Sequence, residues 1–256
     1  MAKTSSGSSE KLSAKSFGKG MEMPPVHNEI LLSLPAKEFA TVMAQLEFVE
    51  LPAHELLNEM GEVIEYCYFM NSGMTSILSV MADGKGVEVG LTGKEGFVGL
   101  PVIVGLKTSP TRALVQIAGS GFRLSVAQLL AALGKCPHLE KRLNRYTQEL
   151  AMQATQVAAC NRLHEVEQRL ARWLLMSQDR VDGAVVPLTQ EFLSHMLGTR
   201  RASVTVAAGV LQKAGLIKYV RGTVNIVNRS RLENAACECY GIITRQSQNW
   251  RNEAGR

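Results

Sequence analysis

The chain has 256 residues, of which 46% are hydrophobic and 20% charged. This apolar share is that of an ordinary globular protein and excludes wholesale disorder. The longest run of apolar residues and glycine, residues 96–106, is too short for the roughly 20 residues that span a bilayer. The first 20 residues lack the apolar core of a secretory signal. We therefore expect a cytoplasmic protein without a membrane segment.

The net charge of +5 is unevenly distributed. Residues 21–161 hold 10 basic and 14 acidic side chains, whereas residues 162–256 hold 14 basic and 8 acidic ones. A basic terminal part is typical of proteins that bind polyanions, although scatter of charges would also give such a difference. Residues 1–25 are rich in Ser, Lys and Gly and predict a disordered basic arm.

The pattern after residue 25 begins with two short helices over residues 28–45, the second opened by Pro35. Short runs rich in β-formers follow, and glycine turns such as Asp83-Gly84 separate them. These runs predict an antiparallel β-roll over residues 26–134. The predicted strands are residues 48–51, 66–70, 75–80, 87–89, 113–117 and 121–124. Helical spacing then returns at residues 126–133.

A long helix is predicted over residues 138–161, within a segment bounded at 135–162. Its apolar positions step alternately by four and three residues, the spacing of a coiled-coil seam. Pairing with a second copy of the chain would cover this seam, and packing on the chain's own roll is the alternative. The residues assigned to dimerisation are Leu139, Leu143, Tyr146, Leu150, Gln153 and Val157.

The last predicted unit, residues 163–256, contains a helix-turn-helix. A helix over residues 164–180 is expected to point Leu170 and Trp173 inward and Arg169 and Arg172 outward. Thr189 then caps one short helix, Gly198 ends it with a positive φ, and Thr199 is expected to cap the next. The inner face of that second helix is predicted to be Val204, Ala207 and Leu211.

The start of this second helix carries the chemistry that reading DNA requires. Arginine there bonds guanine edges in the major groove, and hydroxyl side chains bond phosphates. Two arginines at a helix N-terminus are unfavourable unless an anion is near, because they oppose the helix dipole. Residues 218–227 predict a hairpin with a basic tip, a wing. The DNA-binding candidates are Thr189, Thr199, Arg200, Arg201, Ser203, Thr205, Arg221 and Thr223.

The order of these elements resembles the Crp/Fnr family of bacterial transcription regulators. The most specific segments are LTQEFLSHMLGTRRASVTVAAGVLQKAGLI and YVRGTVNIVNRSRLE near the C-terminus and YFMNSGMTSILSVMADGK in the roll. The resemblance implies an α+β fold: a cyclic-nucleotide-binding-like jelly roll joined by a dimerisation helix to a winged helix-turn-helix. It also implies a homodimer on inverted-repeat double-stranded DNA and contact with RNA polymerase. The family's base-reading positions fall on Arg201, Ala202 and Val206. The family commonly has Arg, Glu and Arg at these three positions, and only Arg201 matches.

The resemblance places an effector pocket at Gly99, Leu100, Thr111 and Arg112. Cyclic-AMP-binding members have a Glu where this chain has Leu100, and their arginine lies one place further from the following alanine than Arg112. A shift of one residue on a strand turns a side chain to the opposite face, so cyclic-nucleotide binding is not expected. Iron–sulfur members use cysteines near the N-terminus, and this chain has none before Cys67, so no cofactor is expected.

The five cysteines are Cys67, Cys136, Cys160, Cys237 and Cys239, and they predict buried thiols without a metal. Cys237-x-Cys239 is tighter than ordinary zinc pairs, and no pair of histidines follows it. The histidines are isolated and predict surface or capping roles, although haem ligation stays open. No catalytic motif appears, so we expect no enzyme. The alternative function is a sensor module whose C-terminal part binds a protein and not DNA.

Overall fold

The computed structural model describes residues 24–181, 185–187, 189–220 and 222–254. The predicted arm lies outside these ranges except for its last two residues, and Arg221 also lies outside them. None of the helices in the described ranges combines the length and the apolar composition needed to cross a membrane.

The N-terminal part is an antiparallel roll of two four-stranded sheets. Its strands are β1 (Glu47–Leu51), β2 (Leu56–Asn58), β3 (Tyr66–Met70), β4 (Met74–Val80), β5 (Gly86–Thr92), β6 (Phe97–Val98), β7 (Arg112–Ile117) and β8 (Gly119–Ser125). The strand orders are β1-β8-β3-β6 and β2-β7-β4-β5. Every predicted strand falls on an observed one, and β4 and β5 form the predicted hairpin around Asp83-Gly84. The short strands β2 and β6 were not predicted.

Short helices cover one end of the roll. They are α1 (Glu29–Leu32), α2 (Ala36–Met43), a 3-10 helix (Leu100–Val104) and α3 (Val126–Leu133). Ser125 and Gln128 form a reciprocal capping box that starts α3 where the sequence predicted it. Asn28 caps α1, and its side-chain amide donates to the carbonyls of Met70 and Gly96. These bonds attach the first helix to the sheet.

The long helix α4 (Pro137–Leu163) packs its apolar seam on the chain's own roll. Gln153 accepts a 2.7 Å hydrogen bond from the Leu91 N–H, and the Tyr146 hydroxyl donates to Thr92 at 2.9 Å. This corrects the assignment of the seam to a dimer contact, because side chains buried within one chain present no surface to a second copy. Buried here are Leu139, Leu143, Tyr146, Gln153 and Val157, and Leu150 is half-buried.

The C-terminal part is helical with one small antiparallel sheet of order β10-β11-β9. Its apolar side chains share one core with the roll residues Met74, Leu78 and Leu91. Because the two parts share this core, the domain boundaries predicted at residues 134 and 162 stay predictions. The elements are α5 (Val166–Gln178), β9 (Val185–Pro187), α6 (Gln190–Met196), α7 (Arg201–Lys213), β10 (Ile217–Val220), β11 (Thr223–Ile226), α8 (Arg229–Ala235) and α9 (Cys239–Ala254). Neither α8 nor α9 was predicted from the sequence.

Candidate nucleic-acid interface

Specific contacts fix both ends of α6, the first helix of the helix-turn-helix. Thr189 caps it as predicted, since its side chain accepts a 3.1 Å hydrogen bond from the Phe192 N–H. At the other end Arg169 of α5 donates to the carbonyl of Leu197. That bond satisfies one of the carbonyls that a helix C-terminus leaves unpaired. Hydrogen bonds thus fix both ends of α6 just before the turn.

The turn that follows requires glycine, as predicted. Gly198 has a φ of +56°, a conformation that is costly for residues with a Cβ. A Cβ at this position would also lie 2.9 Å from Cγ2 of Val87 in β5. The turn therefore lies against the hairpin of the roll, and the roll contributes to positioning the second helix.

The second helix, α7, starts one residue later than expected. Arg200 is its N-cap, with extended φ and ψ of −76° and 144°, so the prediction that Thr199 caps it was wrong. Among the described residues, no side chain makes a capping hydrogen bond there. The predicted inner face is confirmed, because Val204, Ala207 and Leu211 are buried. The first turn of α7 therefore presents free backbone N–H groups together with two arginines.

The outer face of α7 is open in the described part of the chain. Thr205 ties it to α6, since its hydroxyl lies 2.8 Å from Oε1 of Gln190. Arg201 lies 4.0 Å from Glu191, and both side chains are exposed, so this ion pair contributes little. Thr199 and Ser203 are half-buried. In its first two turns the exposed side chains are Arg200, Arg201, Ala202, Thr205 and Val206.

Electrostatics at the start of α7 favour an anion. Two cations oppose the positive end of the helix dipole, at a cost of about 0.3–1 kcal/mol each when exposed. A phosphate placed there would interact favourably with both guanidinium groups and with the free N–H groups. The arrangement suits a DNA backbone beside a groove.

The predicted hairpin is present as strands β10 and β11, which pair from Ile217 opposite Ile226 to Val220 opposite Thr223. Strand β9 adds a third strand to it. The Tyr219 N–H donates to Oε1 of Gln212 at 2.8 Å, which fixes the wing to α7. Thr223 is half-buried at the tip. Arg221, the predicted basic residue of the tip, lies outside the described residues.

Helix α5 supports the helix-turn-helix from behind. Leu170 and Trp173 are buried as predicted. The outward placement of Arg169 and Arg172 was wrong, because these side chains are only 6% and 3% exposed. Arg169 is drawn inward by the Leu197 carbonyl. The sequence pattern could not reveal this, since helical spacing alone places both arginines on the polar side.

A cavity of about 270 Å³ opens between the roll and α4. The predicted effector residues Gly99, Leu100 and Thr111 line it. The fourth, Arg112, does not, because its guanidinium binds Glu59 at 2.8–3.0 Å instead. The remaining described lining residues are Asn58, Ile77, Val89, Gly90, Phe97, Val98, Pro101, Ser109, Pro110, Ala113, Thr147, Leu150, Ala151 and Ala154.

The chemistry of this cavity follows from its lining. None of the described lining residues carries a charge, so nothing there neutralises a cyclic phosphate. Arg112 alternates with Thr111 and Ala113, which face the cavity, as a strand requires. Gly99, with a φ of +111°, lets the backbone pass Cys67, whose Sγ a Cβ would approach to 2.6 Å. The site suits a neutral, mostly apolar ligand.

All five cysteines are free and buried, as predicted. Four metal-ligating side chains nevertheless meet where α4 ends and α9 begins. They are Cys160, His164, Cys237 and Cys239. His164 was expected in a surface or capping role. The spacing of Cys160 and His164, one helical turn apart, was the signal that the sequence analysis missed.

The exposed start of α7 and the wing that α7 holds define a winged helix-turn-helix. Residues 168–235 match the model of the Crp-like helix-turn-helix domain. Among solved structures, FixK2 from Bradyrhizobium japonicum is 18% identical, with a TM-score of 0.64 over 75% of this chain and 98% of that one. A Crp/Fnr-family transcriptional regulator from Eubacterium rectale is 13% identical, with a TM-score of 0.63 over 82% and 98%. CLP, the c-di-GMP-responsive global regulator of Xanthomonas campestris, is 17% identical, with a TM-score of 0.62 over 76% and 100%.

A search of curated proteins gives no match. This chain thus carries a Crp-like helix-turn-helix domain and shares its fold with a solved Crp/Fnr-family regulator. It is a DNA-binding transcription regulator, and the predicted α+β architecture of roll, long helix and winged helix-turn-helix is confirmed. The alternative of a protein-binding C-terminal part is not favoured.

Proposed function

We propose that this regulator binds an inverted-repeat DNA operator as a homodimer in the cytoplasm and controls transcription initiation through RNA polymerase. The observation that carries the proposal is the first turn of α7, where Arg200 and Arg201 are exposed beside free N–H groups. A recognition helix enters the major groove with this turn. We assign the protein no enzymatic activity.

The side chains at the start of α7 have roles that their chemistry suits. Arg201 reads a guanine edge, and Arg200 and Ser203 contact phosphates. Ala202 and Val206 are exposed and apolar, so they suit thymine methyl groups rather than hydrogen-bonding edges. The operator therefore differs from one read by Arg, Glu and Arg at these positions. Thr189, Thr199, Thr205, Thr223 and Arg221 complete the proposed contact set.

The proposed dimer uses the exposed face of α4, which borders the cavity at Ala151. At 27 residues, α4 is roughly 40 Å long. Exposed residues step along it by four and three, which is the spacing of a two-stranded seam. Several of them are small, so two helices can approach closely. They are Asn144, Gln148, Ala151, Thr155 and Ala158.

The proposal is tested by selecting DNA from a random pool with the full-length protein and measuring its affinity for the selected sequence at several salt concentrations. We expect an inverted repeat and a linear fall of log affinity with log salt concentration. Lys37→Ala, which removes one exposed cation from α2 in the roll, should leave this affinity unchanged. Equal affinity for selected and random DNA would contradict the proposal.

A further inference from the structure

Three thiols and one imidazole converge at the junction between the long helix and the C-terminal helix. The possible ligand atoms of Cys160, His164, Cys237 and Cys239 all lie within 4.8 Å of one another. Sγ of Cys160 lies 3.4 Å from Sγ of Cys237, and Sγ of Cys239 lies 3.6 Å from Nδ1 of His164. All three cysteines are at most 4% exposed.

These distances match a single tetrahedral ion. Two thiolates bound to zinc at about 2.3 Å in a tetrahedron lie roughly 3.8 Å apart, and a thiolate and an imidazole nitrogen lie slightly closer. An iron–sulfur cluster would hold its cysteines further apart, because several iron and sulfide atoms separate them. Sulfur and imidazole donors also select zinc over magnesium or calcium, which prefer oxygen.

The surroundings of the site carry positive charge that suits an anionic metal centre. Cys239 is the first residue of the 16-residue helix α9, whose dipole stabilises an anion at that end. Arg169 and Arg172 act electrostatically on Cys160. In the described part of the chain, the buried Nε atoms of both arginines have no hydrogen-bond acceptor. Three thiolates, a neutral imidazole and Zn²⁺ sum to −1, a negative charge that the two guanidinium groups would stabilise.

The histidine is oriented for metal binding. Its Nδ1 faces Cys239, and its Nε2 lies 3.0 Å from the carboxylate of Glu238. Histidines that bind metals ordinarily donate their other N–H to a carboxylate or carbonyl, which fixes the tautomer. Glu238 is thus a positioning residue that leaves the Nδ1 lone pair free for a metal.

We propose that Cys160, His164, Cys237 and Cys239 bind one structural Zn²⁺ ion that joins the end of α4 to the start of α9. Binding replaces the three thiol protons, which pass to solvent. Helix α9 then lies back along α4, and at its far end Arg251 pairs with Glu29 at 2.8 Å. The ion would hold one end of α9 and this ion pair the other.

The first test is the metal content of the full-length, untagged protein, purified with a phosphine reductant and without chelator. We expect one zinc per chain by elemental mass spectrometry. Cys67→Ser and Cys136→Ser, which remove buried thiols elsewhere, should retain it. Cys160→Ser and Cys237→Ser should lose it. Well under one zinc per chain after refolding with equimolar Zn²⁺ would overturn the proposal, as would a Cys160–Cys237 disulfide in protein purified without reductant.

A second test does not depend on the folding of the serine variants. Cobalt added to the chelator-treated wild-type protein should give the strong visible bands of a tetrahedral site and thiolate charge transfer. His164→Cys keeps four ligands and should raise the charge-transfer intensity, whereas an octahedral cobalt spectrum would refute the site. Glu238→Ala should weaken zinc affinity by about 10–100-fold, and Glu253→Ala at the other end of α9 should not. Equal affinities for both variants would contradict the role of Glu238.

Discussion

The indole Nε1 of Trp173 donates a 2.7 Å hydrogen bond to Oε1 of Glu88, and this bond joins the DNA-binding part to the roll. Glu88 lies on β5, the hairpin strand that also meets the helix-turn-helix at Val87. Ser76 donates to the other carboxylate oxygen at 2.7 Å. Both Glu88 and Trp173 are buried, so the connection between sensor roll and DNA-binding helices includes one buried carboxyl group.

Protonation of Glu88 should make folding stability depend on pH. Burial raises the pKa of Glu88 from 4.5 to about 7, although its hydrogen bonds and Arg172 and Arg180 act in the opposite direction. The folded state holds this proton more tightly than the unfolded state does. The resulting stabilisation of the folded state is therefore fully present below pH 4.5 and is lost as pH rises through 7. It amounts to on the order of 3 kcal/mol.

Glu88→Gln isolates that contribution. The amide keeps both bonds, since its oxygen accepts from Trp173 and the Ser76 hydroxyl can accept from its nitrogen. We expect the variant to resemble the wild-type protein at pH 5 and to be more stable at pH 8, by urea unfolding at each pH. Other groups also titrate in this range, so the difference between variant and wild type is the measured quantity. A difference independent of pH would show that Glu88 does not titrate there.

Gly198→Ala should destabilise the protein by about 1–2 kcal/mol, because the residue has a positive φ. The new methyl group would also press on Val87. The matched control is Gly209→Ala in the exposed middle of α7, where a Cβ meets nothing within 4 Å. That change should stabilise the helix by up to about 1 kcal/mol. Urea unfolding of both variants should show a lower free energy of unfolding for Gly198→Ala and a higher one for Gly209→Ala.

Much of this architecture could be predicted because its signals are local. The turn at Gly198, the cap at Thr189 and the inner face of α7 each depend on a few neighbouring residues. Local signals could not predict that the roll covers the α4 seam, because this packing depends on distant contacts. One of them joins Gln153 to Leu91, 62 residues away. The inward turn of Arg169 depends on a carbonyl 28 residues away. Cys160 and Cys237 meet only because α9 folds back along α4, and α9 was not predicted from the sequence.

Cyclic AMP should not raise the melting temperature of the protein. A ligand present at a hundred times its dissociation constant stabilises a protein by about 2.7 kcal/mol, so binding would be visible. The described lining of the cavity offers no cation, and Arg112 is paired with Glu59. Thermal unfolding with and without millimolar cyclic AMP checks this. A shift that Arg112→Gln abolishes would mean that the guanidinium leaves Glu59 to bind the phosphate.

Thr155→Glu should weaken the proposed homodimer, since symmetry places two new carboxylates near each other on the exposed face of α4. Its control is Thr41→Glu on α2. Both threonines make the same bond to the carbonyl four residues earlier, at 2.9 and 2.8 Å, so the local helical effects match. Light scattering after size exclusion should find a monomer only for Thr155→Glu. If both variants remained dimers, the dimer interface would have to lie on another face of the protein.

Arg201→Ala should relax base preference at one position of each half-site. A bidentate contact from arginine to guanine contributes about 1–3 kcal/mol of discrimination. Arg201 is exposed and only loosely paired with Glu191, so little must be broken to reach DNA. Affinities for the selected operator and for operators changed at single positions measure the effect. If Arg201→Ala weakened all sequences equally and flattened the salt dependence, Arg201 would contact a phosphate, and base reading would fall to other residues of α7.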